Sequence, residues 1–194
     1  MIADEFFPQA VVLAAGMGAF VGVHETTRTR LRALEAVNLE GPILVASRLI
    51  VRWRRAHRRA RLVFVTSTAA HGGGHALGAY AAMKAAVEAW LRCEAPGQAR
   101  KEIDLLAVAP GWIESPMTAA LKPEIRRAAE RRSPEGRFAT SEECAELICR
   151  TLLETEAFPP GRVYTFWAPV PANDSPPTPL RRSPSREPVA APVR

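Results

Sequence analysis

A tyrosine and a lysine stand four residues apart in "YAAMK", Tyr80 and Lys84, thirteen residues after Ser67 at the end of the apolar run "LVFVTS". Residues four apart share a helix face, so phenol and ammonium point into the same space. A cation beside a phenol favours phenolate, which predicts a Tyr80 pKa lowered toward the range where it trades protons at neutral pH. A serine hydroxyl delivered from a strand end can hold a substrate oxygen next to that phenol. Upstream, "VNLEGP" sets Asn38 in a helical pattern just before Gly41-Pro42, a pair that weakens the backbone ladder there. A lone Tyr-x-x-x-Lys is usually an ordinary helix surface pair. The combination, with each group at a strand end or helix start, points to acid–base chemistry in one cleft.

The elements around these residues alternate. "AVVLAA" reads as a short strand. A helical pattern runs from about Thr27 to Arg59, with Leu31, Leu34, Val37 or Asn38, Ile43, Ala46, Ile50 and Trp53 on one stripe. "ARLVFVTS" is a continuous apolar, β-branched run, the mark of a strand buried on both faces. "LGAYAAMKAAVEAWLRCEA" is an alanine-rich helix, and "EIDLLAVAP" a second buried strand stopped by Pro110-Gly111. "TSEECAELICRTLLETE" predicts a helix with Ser141 as N-cap and Glu142 or Glu143 in its first turn. "GRVYTFW" is a last strand. This alternation predicts an α/β fold, a parallel sheet with helices on its faces, whose ligands sit beyond the carboxyl ends of the strands.

Length and composition narrow the class. The 194 residues, 47% hydrophobic, suit one globular domain with a real core. No apolar run approaches the roughly 20 residues of a membrane helix. The acidic start "MIADEFFPQA" lacks the basic flank and apolar core of a signal peptide. Cys93, Cys144 and Cys149 are odd in number, and the last two are five apart on a helix, so neither a disulfide nor a zinc site is expected. A reduced cytoplasmic protein is the plain reading. The charge of +6 draws on "RWRRAHRRAR", with six arginines. That run is read as the solvated end of a helix rather than a nucleic-acid patch, since no recognised binding motif surrounds it. From Pro169 the chain turns rich in proline, serine and arginine. This divides it into an ordered unit, 1–168, and a disordered tail, 169–194.

"VNLEGP", "LVFVTSTAA", "YAAMKAAVEAW" and "VAPGWIESPMT", in that order and spacing, resemble the short-chain dehydrogenase/reductase family over roughly residues 10 to 155. The resemblance implies a Rossmann-like fold, an NAD or NADP cofactor, and a carbonyl or alcohol substrate. It implies a tetrad of Asn38, Ser67, Tyr80 and Lys84. Tyr80 would exchange the proton, Ser67 orient the substrate oxygen, Lys84 bind the nicotinamide ribose and depress the Tyr80 pKa, and Asn38 hold a relay water. Pro110, Gly111, Ile113 and Ser115 would form the loop over the nicotinamide, with serine where threonine is usual. It also implies a homo-oligomer, built on the Tyr80 helix and the long helix before it.

"VVLAAGMGAFVG", residues 11 to 22, suggests a phosphate-binding turn at first sight. The family's phosphate loop reads Thr-Gly-x-x-x-Gly-x-Gly, and the spacing of Gly16, Gly18 and Gly22 does not fit it. "LAAG" is instead similar to the Asn-Asn-Ala-Gly motif after the family's fourth strand, with Leu13 and Ala14 replacing both asparagines and Ala15 and Gly16 matching. The resemblance thus implies strands four to seven of the family and no phosphate loop. Ala15 and Gly16 are then the expected cofactor contacts here, no metal is expected, and "AVVLAA" should form an exposed sheet edge. A second reading is a non-catalytic fragment or interaction protein that keeps the oligomerisation helices. The loop with His71 and His75 reads as substrate-side rather than metal-binding, and "MTAALKPEIRRAAERRSPEGRFA" is similar to the family's substrate lid.

Overall fold

The computed structural model describes residues 7–18, 22–72 and 76–168. The tail from 169 onward therefore lies outside the described residues. Four strands, β1 (Ala10–Leu13), β2 (Ala60–Val65), β3 (Ile103–Pro110) and β4 (Val163–Phe166), form one parallel sheet in the order β1-β2-β3-β4. Each neighbouring pair is parallel, with Leu13 opposite Phe64, Val65 opposite Val108, and Pro110 opposite Phe166. All four carboxyl ends therefore open on the same side. β1 pairs only with β2, so it is an edge among the described strands, as its sequence predicts.

Helices cover both faces, which is why β2 and β3 read as unbroken apolar runs. On one face Leu62, Phe64, Leu105 and Ala107 pack against Ala46, Ile50 and Trp53 of α2 (Gly41–Arg55) and Val87, Leu91 and Ala95 of α3 (Gly78–Ala99). On the other, Val63, Leu106 and Val108 meet Leu147, Ile148 and Leu152 of α6 (Ser141–Leu153). Side chains alternate across a strand, so successive residues of β2 serve opposite layers. Each fully buried Leu or Phe contributes about 2 kcal/mol of apolar burial, and these residues concentrate under the site.

The long helical pattern of the second segment is not one helix. α1 (Arg28–Glu35), capped by Thr27, passes through a π-helical turn, Ala36–Glu40, into α2. Pro42 has no N–H to offer the Asn38 carbonyl, and the Gly41 N–H reaches back to the Ala36 carbonyl instead. α2 ends at Arg55, short of Arg59. In α6 the cap is Thr140, not Ser141. Its hydroxyl accepts from Glu143 N at 3.1 Å while the Glu143 carboxylate accepts from Thr140 N at 2.7 Å. That reciprocal box satisfies two helix-end donors, and Arg137 beside Glu143 holds its carboxyl down at about 2.

The arginine run is likewise divided by the fold. Arg54, Arg55, Arg58 and Arg59 are exposed, but Arg61 is buried inside β2, paired with Asp104 across the strands and donating to the Phe158 carbonyl. Trp53 is fully buried and donates to the Pro8 carbonyl at 2.8 Å, so it offers no ring to a base. No helix of the described residues is long and apolar enough to cross a membrane.

Candidate functional site

The strand β2 runs out into Thr66 and Ser67, and Ser67 is the cap of a short 3₁₀ turn, Thr68–His71. Its Oγ accepts from Ala69 N at 3.2 Å and lies near enough to the Tyr80 phenol to pull that group's pKa down. Tyr80 sits in the first turn of α3. One turn on, Lys84 is 5% exposed, its Nζ donates to the Val65 carbonyl at 2.9 Å, and it lies 5.8 Å from the Tyr80 ring centroid. The helix pairing and the strand-end serine anticipated from the sequence thus meet at one place.

Asn38 joins them from the other side. It is fully buried, carried inward by the π-helical turn. Its Oδ1 accepts from Met17 N at 3.1 Å and its Nδ2 donates to the Met17 carbonyl at 2.8 Å. This two-point clasp holds the loop after β1 so that Gly16 faces the site. A Cβ on Gly16 would lie 3.5 Å from both Asn38 Oδ1 and Lys84 Nζ. The backbone of Gly16, exposed with Ala15 beside it, thus runs close to both Asn38 and Lys84.

The remaining predicted positions follow β3. Pro110 is buried, and Gly111 N donates to the Phe166 carbonyl at 2.8 Å. A Cβ at Gly111 would collide with the Trp167 backbone carbonyl, so glycine lets β4 pass close. Ile113 bridges to Ala139, and its carbonyl accepts from Thr118 Oγ1 at 2.6 Å. Ser115 is engaged as the cap of α4 (Pro116–Ala119), its Oγ accepting from Thr118 N at 3.4 Å. Gly18, from the glycine-rich opening stretch, lies against the side chain of Met117 in α4. The segment after α4 is pinned as well. Arg126 of α5 (Pro123–Glu130) pairs with Glu114 and Glu130 and stacks 4.6 Å over the Phe138 ring, which itself stacks on Trp112. Those pairings use the charge that a free Arg126 would present to an acidic substrate.

The electrostatics correct one expectation. The Tyr80 pKa is raised rather than lowered, because burial of the phenol outweighs the effect of the Ser67 hydroxyl. Burial also pushes the Lys84 ammonium down to about 8. Lys84 therefore gives up its proton before the phenol titrates, and its charge is absent in the range where it would help form phenolate. The geometry holds while the charge order differs.

Reading the sequence missed two groups that share this corner, Glu88 and Thr66. Glu88, one helical turn beyond Lys84, is 1% exposed. Its carboxylate accepts from Thr66 Oγ1 at 2.9 Å and contacts His71 Nε2 at 3.0 Å. The signal was a glutamate at Tyr80 plus eight, on the face already marked by Tyr80 and Lys84. His75 lies outside the described residues, and no cluster of three metal-ligating side chains occurs among the described ones. Cys93, Cys144 and Cys149 are all free thiols, as their spacing predicts.

Residues 8–160 match the protein family described as Enoyl-(Acyl carrier protein) reductase. The 3-oxoacyl-(acyl-carrier-protein) reductase of Thermotoga maritima is 34% identical over 127 residues, covering 66% of this chain and 51% of that protein. The 3-oxoacyl-(acyl-carrier-protein) reductase MabA of Mycobacterium tuberculosis is 28% identical over 155 residues, covering 80% of this chain and 62% of that protein. The chain thus spans about half to three-fifths of the length of these relatives. Among solved structures, a Brucella melitensis 3-oxoacyl-(acyl-carrier-protein) reductase superposes with a TM-score of 0.78 at 24% identity, covering 86% of this chain and 64% of that one. A 4-hydroxyisoleucine dehydrogenase mutant, complexed with NADH and succinate, superposes with a TM-score of 0.79 at 17% identity, over 88% of this chain and 71% of that one. On its motifs, its parallel sheet and the match over residues 8–160, the chain belongs to the short-chain dehydrogenase/reductase family.

Proposed function

We propose that this chain carries the catalytic half of a nicotinamide-dependent oxidoreductase that interconverts a carbonyl and an alcohol. The observation that carries the proposal is the convergence of Ser67, Tyr80, Lys84 and Asn38 at the carboxyl ends of β1 and β2. The residues fit the nicotinamide-ribose half of the cofactor. The exposed Gly16 backbone lies beside Lys84, a buried ammonium with a backbone carbonyl as its acceptor. Lys84 and Tyr80 would hold the ribose there, with Ala15 and Gly16 beneath it and the Pro110, Gly111, Ile113 and Ser115 backbone above. NAD or NADP, when bound, supplies or accepts the hydride.

The protein's own part is proton handling and placement. Ser67, fixed at a strand end, orients the substrate oxygen, and the Tyr80 phenol gives that oxygen a proton or takes one. The raised Tyr80 pKa favours the protonated phenol, the form needed to reduce a carbonyl. Lys84, whose burial lowers its pKa to about 8, is still protonated at neutral pH and can hold the ribose there. Asn38 holds the loop that forms the floor of the site.

A titration with reduced nicotinamide mononucleotide tests this reading directly. These 194 residues contain no Thr-Gly-x-x-x-Gly-x-Gly loop, so the pyrophosphate donors of a helix N-terminus are not expected to anchor NADH. The mononucleotide and NADH should then bind with dissociation constants within about tenfold of each other, on the order of millimolar. NMR signals of Lys84 and Gly16 should shift on binding. A site that gives no shift at either residue overturns the reading in favour of a non-catalytic interaction protein.

Assembly is the second expectation. The outer face of α2 exposes Leu44 (55%), Val45 (45%) and Val51 (47%), and Leu31 and Val37, expected on the inward stripe, are exposed as well. Large apolar side chains left exposed on one helix are a common mark of an interaction surface. The protein should therefore be at least a dimer by light scattering, and Val45→Lys with Val51→Lys should return it to monomer.

A further inference from the structure

Three successive residues at the end of β2 are each held by one turn of α3. The Val65 carbonyl accepts from Lys84, Thr66 donates to Glu88, and the Ser67 hydroxyl acts on the Tyr80 phenol, lowering its pKa. The helix positions are i, i+4 and i+8, one continuous face. The first two belong to the proposed chemistry and the third does not. Glu88 is nonetheless a fully buried carboxylate, costly to desolvate unless its oxygens are satisfied. They are satisfied by groups that bracket Ser67. Thr66 Oγ1 stands at 2.9 Å on one side in sequence and His71 Nε2 at 3.0 Å on the other, with Arg92 of α3 at 3.5 Å from outside.

We propose that Glu88 is a positioning residue that fixes Ser67 against Tyr80, acting through Thr66 before it and His71 after it. The carboxylate ties both ends of the segment Thr66–His71 to the helix that carries the phenol. Strand end and helix face are thereby locked in one register. Losing the tie frees the segment to swing, and the approach of Ser67 to Tyr80 is what suffers. The inference rests on the proposed role of Ser67, but its readout needs neither cofactor nor turnover. An absence of nicotinamide binding would leave its outcome unchanged.

The sequence holds two tyrosines, Tyr80 and Tyr164. Tyr164→Phe therefore leaves Tyr80 as the single phenol, and its ionisation can be read from phenolate absorbance immediately after a pH jump, before unfolding. The Ser67 hydroxyl lowers the Tyr80 pKa, so losing it must raise that pKa. In this background Ser67→Ala should shift the titration upward by about half a pH unit or more. Glu88→Ala should shift it by a similar amount. Glu88→Gln, which keeps an oxygen acceptor for Thr66, should restore most of the parental curve. The double variant Ser67→Ala with Glu88→Ala should titrate like Ser67→Ala alone. Should Glu88→Ala fail to fold, Thr66→Val removes the same tie with little change of shape, and the same upward shift is expected. An unshifted titration in a folded Glu88→Ala or Thr66→Val variant overturns the proposal, as does a shift that adds to that of Ser67→Ala.

Discussion

Tyr80→Phe lowers turnover by about 10²–10⁴-fold in any form of the protein that converts a carbonyl or alcohol, the range attributed to a positioned acid–base group. The substitution removes one oxygen and leaves the ring in place. The Lys84 contact over the ring survives. Burial of the phenol raises its pKa, so at neutral pH the group removed is a protonated donor. The defect should therefore fall on kcat, with nicotinamide mononucleotide affinity changed far less. Ser67→Ala should show the same split to a smaller degree, since it withdraws orientation rather than the proton. If Tyr80 and Lys84 are only an ordinary helix pair, Tyr80→Phe leaves the rate near normal. A kinetic comparison at saturating cofactor decides between the two.

Lys84→Met produces a more stable protein that does less chemistry. The lysine is 5% exposed, and its Nζ donates to a backbone carbonyl. Its folded pKa of about 8 lies below the 10.5 of an exposed lysine, so folding disfavours its protonated form. Below pH 8 the fold bears the whole burial cost, on the order of 3 kcal/mol. Methionine removes that cost but leaves the Val65 carbonyl without its donor, worth about 1 kcal/mol. The net gain near pH 7 should be about 1–2 kcal/mol in urea unfolding. As pH rises from about 8 toward 10.5 the wild-type lysine becomes neutral in the fold, and its penalty shrinks. The advantage of the variant should shrink with it and be gone above that window. Turnover, by contrast, should fall at least as far as in Tyr80→Phe, and mononucleotide binding should weaken, because the ammonium beside Gly16 is gone. A variant less stable than wild type at pH 7, or an advantage that grows with pH, contradicts the assigned burial of charge.

The layout of the sheet was legible in the chain because each signal is local. β2 and β3 are continuous apolar runs, α3 has a strong alanine-rich pattern, and Pro110-Gly111 stops β3. The pairing of Tyr80 with Lys84 needs only helical periodicity, and Ser67 needs only a strand to end. Three-dimensional packing decided the rest. Spacing could not say that the α1–α2 pattern breaks at Ala36–Glu40, since the break depends on a missing Pro42 donor and on Asn38 finding Met17 across 21 residues of chain. Nor could it give the sign of the Tyr80 shift. Two residues side by side suggest a cation aiding a phenolate, but burial acts on both groups, raising the phenol and lowering the ammonium. Glu88 stayed invisible because a glutamate on a helix is ordinarily solvated, and only the fold seals it under Thr66 and His71. Periodicity along one chain determined which residues share a face; desolvation, which depends on what closes over that face, decided their protonation and their partners.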